Sequence, residues 1–164
     1  MASCDAVMTT GGVSMGDFDY VKSVLKRLGD MRWMQIAIKP AKPFAFGTVD
    51  GVPVFGFPGN PVSCMVSFEL FGRPAIRQMM GHPTPIIGTE TAIADSPLGR
   101  GPDGKTHFVR VAGERDRKGQ MHVRSSGGQG SHMLWAMSQA TALAVVPDGD
   151  GIEAGGDVEV IVLG

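Results

Sequence analysis

Two short apolar runs in this chain each end in a loop shaped by glycine or proline, and each loop opens a helix-like pattern. The first is Ala6-Val7-Met8, followed by Thr9-Thr10-Gly11-Gly12-Val13-Ser14-Met15-Gly16-Asp17. The second is Val52 to Phe57, followed by Pro58-Gly59-Asn60-Pro61-Val62-Ser63. A strand–loop–helix unit brings a helix N-terminus to the strand end, with unpaired amides and the positive end of the helix dipole. Both suit an oxyanion. Two such units restrict the first half of the chain to an α/β arrangement with a ligand edge.

In the first unit, Gly11 and Gly12 permit a tight turn and close approach of backbone to a ligand. Val21, Val24, Leu25 and Leu28 form an i, i+3, i+4, i+7 stripe, and Gly29 stands where a helix C-terminal glycine belongs. An ordinary βα turn fits the same residues. Neither a GxGxxG nor a GxxxxGK[ST] pattern is present, so nucleotide binding does not follow. In the second unit, Asn60 is placed to cap a helix and Pro61 to occupy its first position. The amides of Val62, Ser63 and Cys64 would then be unpaired. The helix is expected to reach about Phe71, to be interrupted at Gly72-Arg73-Pro74 and to end before Gly81 and Pro83. Between the units, Pro40 and Pro43 bias Lys39 and Lys42 toward extended geometry. Two lysines on a stiff segment could clamp an anion, or stand as solvated surface groups.

Gly81-His82-Pro83-Thr84-Pro85 ends the helical pattern and suggests domains at 1–83 and 84–164. Beyond it come short strand candidates at Ile86–Ala94, Thr106–Gly113, Gln120–Arg124, Thr141–Val146 and Asp157–Leu163. Pro97–Gly104 and Pro147–Gly151 read as loops, and Ser131–Gln139 as a helical stretch. This pattern indicates a small β-barrel or sandwich. Asp148-Gly149-Asp150-Gly151 lacks the spacing of a calcium loop and reads as a turn. A net charge of −1 gives no sign of a nucleic-acid or membrane surface. Cys4 and Cys64 form no paired pattern. His82, His107, His122 and His132 show no metal-ligand spacing, and no signal peptide or transmembrane run is visible. A cytoplasmic protein is expected.

TTGGVSMGDFDY, IKPAKPFAFG and FPGNPVS, in this order and spacing, closely resemble the molybdopterin molybdenumtransferases, a family that includes the E domain of gephyrin. Gly127–His132, which reads GGQGSH, and the pattern from Val145-Val146-Pro147 to Val162 add to the resemblance, which covers nearly the whole chain. It implies part of a three-layer molybdopterin-binding α/β domain followed by a barrel-like β-domain. Family members are longer, so the resemblance also implies a C-terminal piece that is inactive alone.

The implied activity is insertion of molybdate into adenylylated molybdopterin with release of AMP, assisted by Mg²⁺, in a homodimer. The alternative is a non-catalytic scaffold that binds molybdopterin or a peptide. The resemblance implies catalytic roles for Asp19, Lys39, Pro58 and Pro61. It implies cofactor binding by Gly11, Gly12, Ser14, Asp17, Asn60 and Ser63, and molybdate contacts from Lys42, Lys105, Arg110 and Ser131. Asp19 could instead be a first-turn acid and Asp17 a cap. Arg110 could pair with Glu114, and Ser131 could cap the helix after it. Three positions depart from the family pattern: Gln35 replaces a frequent lysine, Ala41 the usual glycine and Gly128 a frequent histidine.

Overall fold

The computed structural model describes residues 4–13, 20–99 and 101–164. Its first half is built on a four-stranded sheet in the order β1-β5-β4-β2. The strands are β1 (Val7–Thr10), β2 (Asp30–Gln35), β4 (Pro43–Val49) and β5 (Val52–Phe57). β1 and β5 run parallel, with Thr10 opposite Phe57. The two glycine/proline loops therefore leave the sheet side by side, and Gly11 N–H donates to the Phe57 carbonyl at 2.9 Å.

Alternation along the strands sends apolar side chains to both faces. On one face Leu25, Val49 and Val54 pack with Val7, Val21 and Trp33 under helix α1 (Tyr20–Leu28). On the other, Phe44, Phe55 and Phe57 pack with Met8, Met34, Phe68 and Phe71 under the second helical segment. The result is three layers, α on β on α. The α1 stripe is only partly covered: Leu25 is buried, while Val24 and Leu28 are about half exposed.

The second helical segment runs without a break from Pro61 to Met79, as α2 (Pro61–Ser67), a π-turn (Phe68–Gly72) and α3 (Arg73–Met79). The interruption expected at Gly72-Arg73-Pro74 is thus a widened turn. Arg73 N–H reaches back five residues to the Phe68 carbonyl, which accommodates Pro74 and its missing donor. β2 and β4 are strands where the sequence reading has none. β4 and β5 form a hairpin through Asp50-Gly51, both at positive φ, the geometry a two-residue hairpin turn demands. Gly29 does not adopt the left-handed conformation of a helix-terminating glycine. It is small because a Cβ there would fall on the Thr48 carbonyl oxygen.

The second half is a closed five-stranded barrel. β6 (Glu90–Ala94), β7 (Thr106–Arg115), β8 (Met121–Ser125), β9 (Ala142–Val146) and β10 (Asp157–Val162) pair in the ring β7-β8-β6-β10-β9-β7. Its interior is filled by residues such as Val109, Val111, Val123, Ala144, Val146 and Val160. Alternate residues point outward, and some of these are also buried. Phe108, Leu143 and Ile161 meet Val62, Val66 and Leu70 of the helical segment, together with Met137 of α4 (Leu134–Ser138) and with Ile38 and Ala41 from the first half of the chain. This apolar cluster joins the halves.

A short strand from the first half, β3 (Ile38–Lys39), pairs in parallel with β7, Ile38 opposite Thr106 and Lys39 opposite His107. No described helix is long and apolar enough to cross a membrane.

Candidate functional site

A cavity of about 420 Å³ opens between the start of the second helical segment and the barrel, beside the end of β7. Ile38 to Pro43 form one wall, Ser63 another, and Lys105, Gln129, Gly130 and Ser131 the barrel side. Five residues singled out from the sequence, Lys39, Lys42, Ser63, Lys105 and Ser131, therefore face one space.

The wall from Ile38 to Pro43 is rigidly placed. Ile36 N–H donates to the Lys42 carbonyl at 2.7 Å and Thr106 N–H to the Ala37 carbonyl at 3.0 Å. Ala41 holds φ +80°, a conformation that an L side chain enters at a cost of roughly 1 kcal/mol. Its methyl is buried against the joining cluster, which offsets part of that cost. Among the described residues Lys42 makes no ion pair.

The PGNP loop and the GGQGSH loop are tied together. Asn60 Nδ2 donates to Ser131 Oγ at 2.7 Å, and Val62 N–H donates to the Ser131 carbonyl at 3.2 Å. Three expectations are corrected here. Asn60 sits at the helix N-cap in an extended conformation but makes no side-chain capping bond; its amide serves Ser131 instead. Two of the three amides expected to be unpaired are used, Val62 by Ser131 and Cys64 by the Asn60 carbonyl at 2.9 Å. Ser131 does not cap the following helix, whose N-cap position is Met133 and carries no side-chain bond. Pro61 occupies the first helical turn as expected. Gly59 lies against Gly11, where a Cβ would stand 3.2 Å from the Gly11 Cα.

Arg110 is fully buried and does not line the cavity. Its guanidinium donates to the carbonyls of Gly128 at 2.8 Å and Gly130 at 3.2 Å, so it supports the cavity wall from behind. Burial pushes its pKa down. Glu114 is paired with Arg124 at 3.4 Å, not with Arg110. Gly128 leaves room that Met133 fills, since a Cβ at 128 would run into the Met133 Sδ and Cε. Ser14, Asp17 and Asp19 lie outside the described residues.

Two residues, Gln129 on the cavity wall and Asp103 beside it, carry no assignment from the sequence. Asp103 accepts Lys39 Nζ at 3.3 Å, Lys105 Nζ at 3.2 Å and His107 Nε2 at 2.9 Å. The His107 hydrogen bond foremost, with those of Lys105 and Lys39, holds its carboxyl well below the usual carboxylate range. Gln129 clasps the β7 backbone: its Oε1 accepts Arg110 N–H at 2.9 Å, and its Nε2 donates to the Arg110 carbonyl at 3.1 Å. Gln129 stands inside the quoted GGQGSH motif and was open to assignment. Asp103 lies in a loop whose partners come from residues far apart in sequence. His82 and His122 are engaged by Arg77 and Asp95. Among the described residues no group of three His, Cys, Asp or Glu side chains is arranged to hold a metal ion.

Residues 1–78 match the family described as probable molybdopterin binding domain, and residues 99–163 match the MoeA C-terminal region (domain IV). A molybdopterin molybdenumtransferase from Haemophilus influenzae is 35% identical over 165 residues, spanning 98% of this chain and 40% of the relative. One from Bacillus subtilis is 31% identical over 167 residues, spanning 99% and 38%. The crystal structure of the molybdopterin biosynthesis MoeA protein from Pyrococcus horikosii superimposes with a TM-score of 0.74 at 26% identity, over 98% of this chain and 38% of that one. The chain thus spans about two fifths of the length of these relatives. With a molybdopterin-binding type of α/β half, a MoeA-type barrel and relatives of one name across nearly all its residues, the chain belongs to the molybdopterin molybdenumtransferase family.

Proposed function

We propose that this chain supplies the oxyanion- and pterin-holding part of a molybdenum insertase, which places molybdate into adenylylated molybdopterin with release of AMP. The observation that carries the reading is the meeting of Lys39, Lys42, Ser63, Lys105 and Ser131 on one cavity. Molybdate, the substrate, is a tetrahedral dianion, and ammonium and hydroxyl donors are the groups that bind such an ion by charge-assisted hydrogen bonds. Ser131 Oγ already accepts from Asn60, so its own proton is left to donate into the cavity. Lys42 has no competing carboxylate among the described residues and has the most to offer. The stiff wall from Ile38 to Pro43 holds these donors at fixed separations, which lowers the ordering cost of binding.

Lys39 is read as the second cation of the clamp. Pro58 and Pro61 shape the loop that aims Ser63; Gly11, whose N–H is held by the Phe57 carbonyl, keeps the turn tight, and the neighbouring Gly12 and Asn60 offer backbone amides for the phosphate of the pterin. Arg110 contributes through the loop it supports. Ser14, Asp17 and Asp19 belong to the same proposal by resemblance. The described residues do not fit Mg²⁺. The carboxylate beside the cavity, Asp103, is engaged by two lysines and a histidine. Binding is the activity proposed for these 164 residues by themselves; turnover, homodimeric assembly and a cytoplasmic setting belong to the proposal for the longer protein.

The test is Lys42→Ala in a full-length protein carrying this segment. A charge-assisted contact of about 1.5–3 kcal/mol predicts a molybdate requirement raised about ten- to hundredfold, with thermal stability nearly unchanged because Lys42 is exposed. An unaltered molybdate dependence would exclude the role.

A further inference from the structure

Two of the three lysines on the cavity wall already answer an anion, and that anion is part of the chain. Asp103 Oδ2 lies 3.3 Å from Lys39 Nζ and 3.2 Å from Lys105 Nζ, while Oδ1 accepts from His107. The lysines do not decide where this carboxylate stands. Asp103 N–H and Gly104 N–H both donate to Asp148 Oδ1, at 2.9 and 3.0 Å, so the loop is fixed through its main chain.

We infer that Asp103 is a specificity-determining residue, an internal anion that competes with an incoming oxyanion for Lys39 and Lys105 and holds down the affinity of the cavity, for a dianion more than for a monoanion. The inference rests on the oxyanion reading of the cavity. Lys39, Lys42 and Lys105 carry three positive charges and Asp103 one negative charge, so these four groups sum to the +2 that a tetrahedral dianion balances. Without Asp103 the sum is +3, and the repulsion its carboxylate exerts falls about twice as heavily on a dianion as on a monoanion. Both ion pairs are open to solvent, with side-chain exposures of 46% for Lys39 and 27% for Lys105. Exposed pairs of this kind are weak and exchange readily. An arriving dianion can draw both ammonium groups from Asp103, whereas Lys42 needs no such exchange. Asp103 therefore keeps the two lysines ordered at the rim and weakens the binding of every anion, that of a dianion most.

The experiment is isothermal titration of the purified protein with molybdate and, separately, with perrhenate, a tetrahedral monoanion of similar shape, at pH 7 and fixed ionic strength. Asp103→Asn is the main variant and Asp103→Ser the second. The expected result is molybdate binding about three- to tenfold tighter in both variants, with a smaller gain for perrhenate. Unchanged or weaker molybdate binding, or equal gains for the two anions, would overturn the inference while leaving the oxyanion reading in place. Failure of wild type and variants alike to bind molybdate would sink the oxyanion reading itself and the inference with it. Circular dichroism accompanies each titration: if both variants lose the fold, Asp103 is a structural group and the inference falls.

Discussion

Gln129 carries a load that can be worked out from its bonds. β7 is longer than its partner on one edge. β8 pairs with it from Arg115 down to Val111, opposite Ser125, and stops there. The next amide on that edge belongs to Arg110, a residue with no exposure to solvent, and the Gln129 carboxamide takes the place of the missing strand. Gln129→Leu leaves that N–H buried and unsatisfied, a loss of about 1–3 kcal/mol. The Arg110 carbonyl keeps its bonds from Ser126 N–H at 3.0 Å and Ser126 Oγ at 3.1 Å, so little is added there. The Gly127 carbonyl, 3.0 Å from Nε2, lies on an exposed residue and can turn to water.

The total is about 2 kcal/mol, which for a chain of this size lowers the melting temperature by roughly 4–8 °C. Gln129→Glu retains an acceptor for Arg110 N–H but sets a negative charge in the cavity wall. It should weaken molybdate binding out of proportion to its effect on melting. Thermal unfolding followed by circular dichroism, with and without molybdate, reads both effects. A Gln129→Leu protein that melts within a degree of wild type refutes the ladder argument.

Gly29→Ala should destabilise by at least about 2 kcal/mol in urea titrations, because the added Cβ meets the Thr48 carbonyl and Val49 Cγ2 and the hairpin must shift; stability equal to wild type would show the helix-to-strand contact to be loose. For Asp103, the folded-state pKa lies below the ordinary value of about 3.9. Its contribution is therefore present above that ordinary value and is lost only as pH falls through the depressed one. The stability difference between wild type and Asp103→Asn should persist at about pH 5 and shrink below about pH 4; a difference already gone at pH 6 contradicts the ion-pair network.

The parts of the fold that sequence reveals are those governed by local rules. The β1 and β5 units, Pro61 at the helix start and the five barrel strands follow from apolar runs, proline chemistry and turn residues. Asp50-Gly51 was an equally local signal for the β4–β5 hairpin, and the lysine–proline pattern beside it masked the strand. The continuous helix from Pro61 to Met79 could not be read that way. Whether Pro74 breaks a helix or is absorbed by a π-turn depends on Phe57, Met8 and Phe68 packing around Gly72, which no local pattern encodes. The site divides similarly. Lys39, Lys42, Ser63, Ser131 and the Asn60 that binds Ser131 sit in motifs, whereas Asp103, which pairs with Lys39 and Lys105, does not. Asp103 gains its meaning from residues 64 positions back and 45 positions ahead.

The edge of β7 explains why lysines from the first half of the chain and a serine from the second reach the same space. Along that edge stand β3 at Thr106 and His107, then the Gln129 carboxamide at Arg110, then β8 from Val111 onward. The cavity lies in front of the first two. Lys39 belongs to the strand paired there, and Lys42 follows it by three residues through the buried Ala41. Ser131 follows Gln129 by two residues. The spacing between the lysines and Ser131 is therefore set mainly by one barrel strand and only secondarily by the α/β sheet, which supplies Ser63 and Asn60. A barrel that merely packed beside the sheet could slide against it and lose the site. Here β3 carries the lysines with the barrel, and the Asn60–Ser131 bond ties the PGNP loop to it, so movement of the barrel relative to the sheet would strain that bond before it separated the cations.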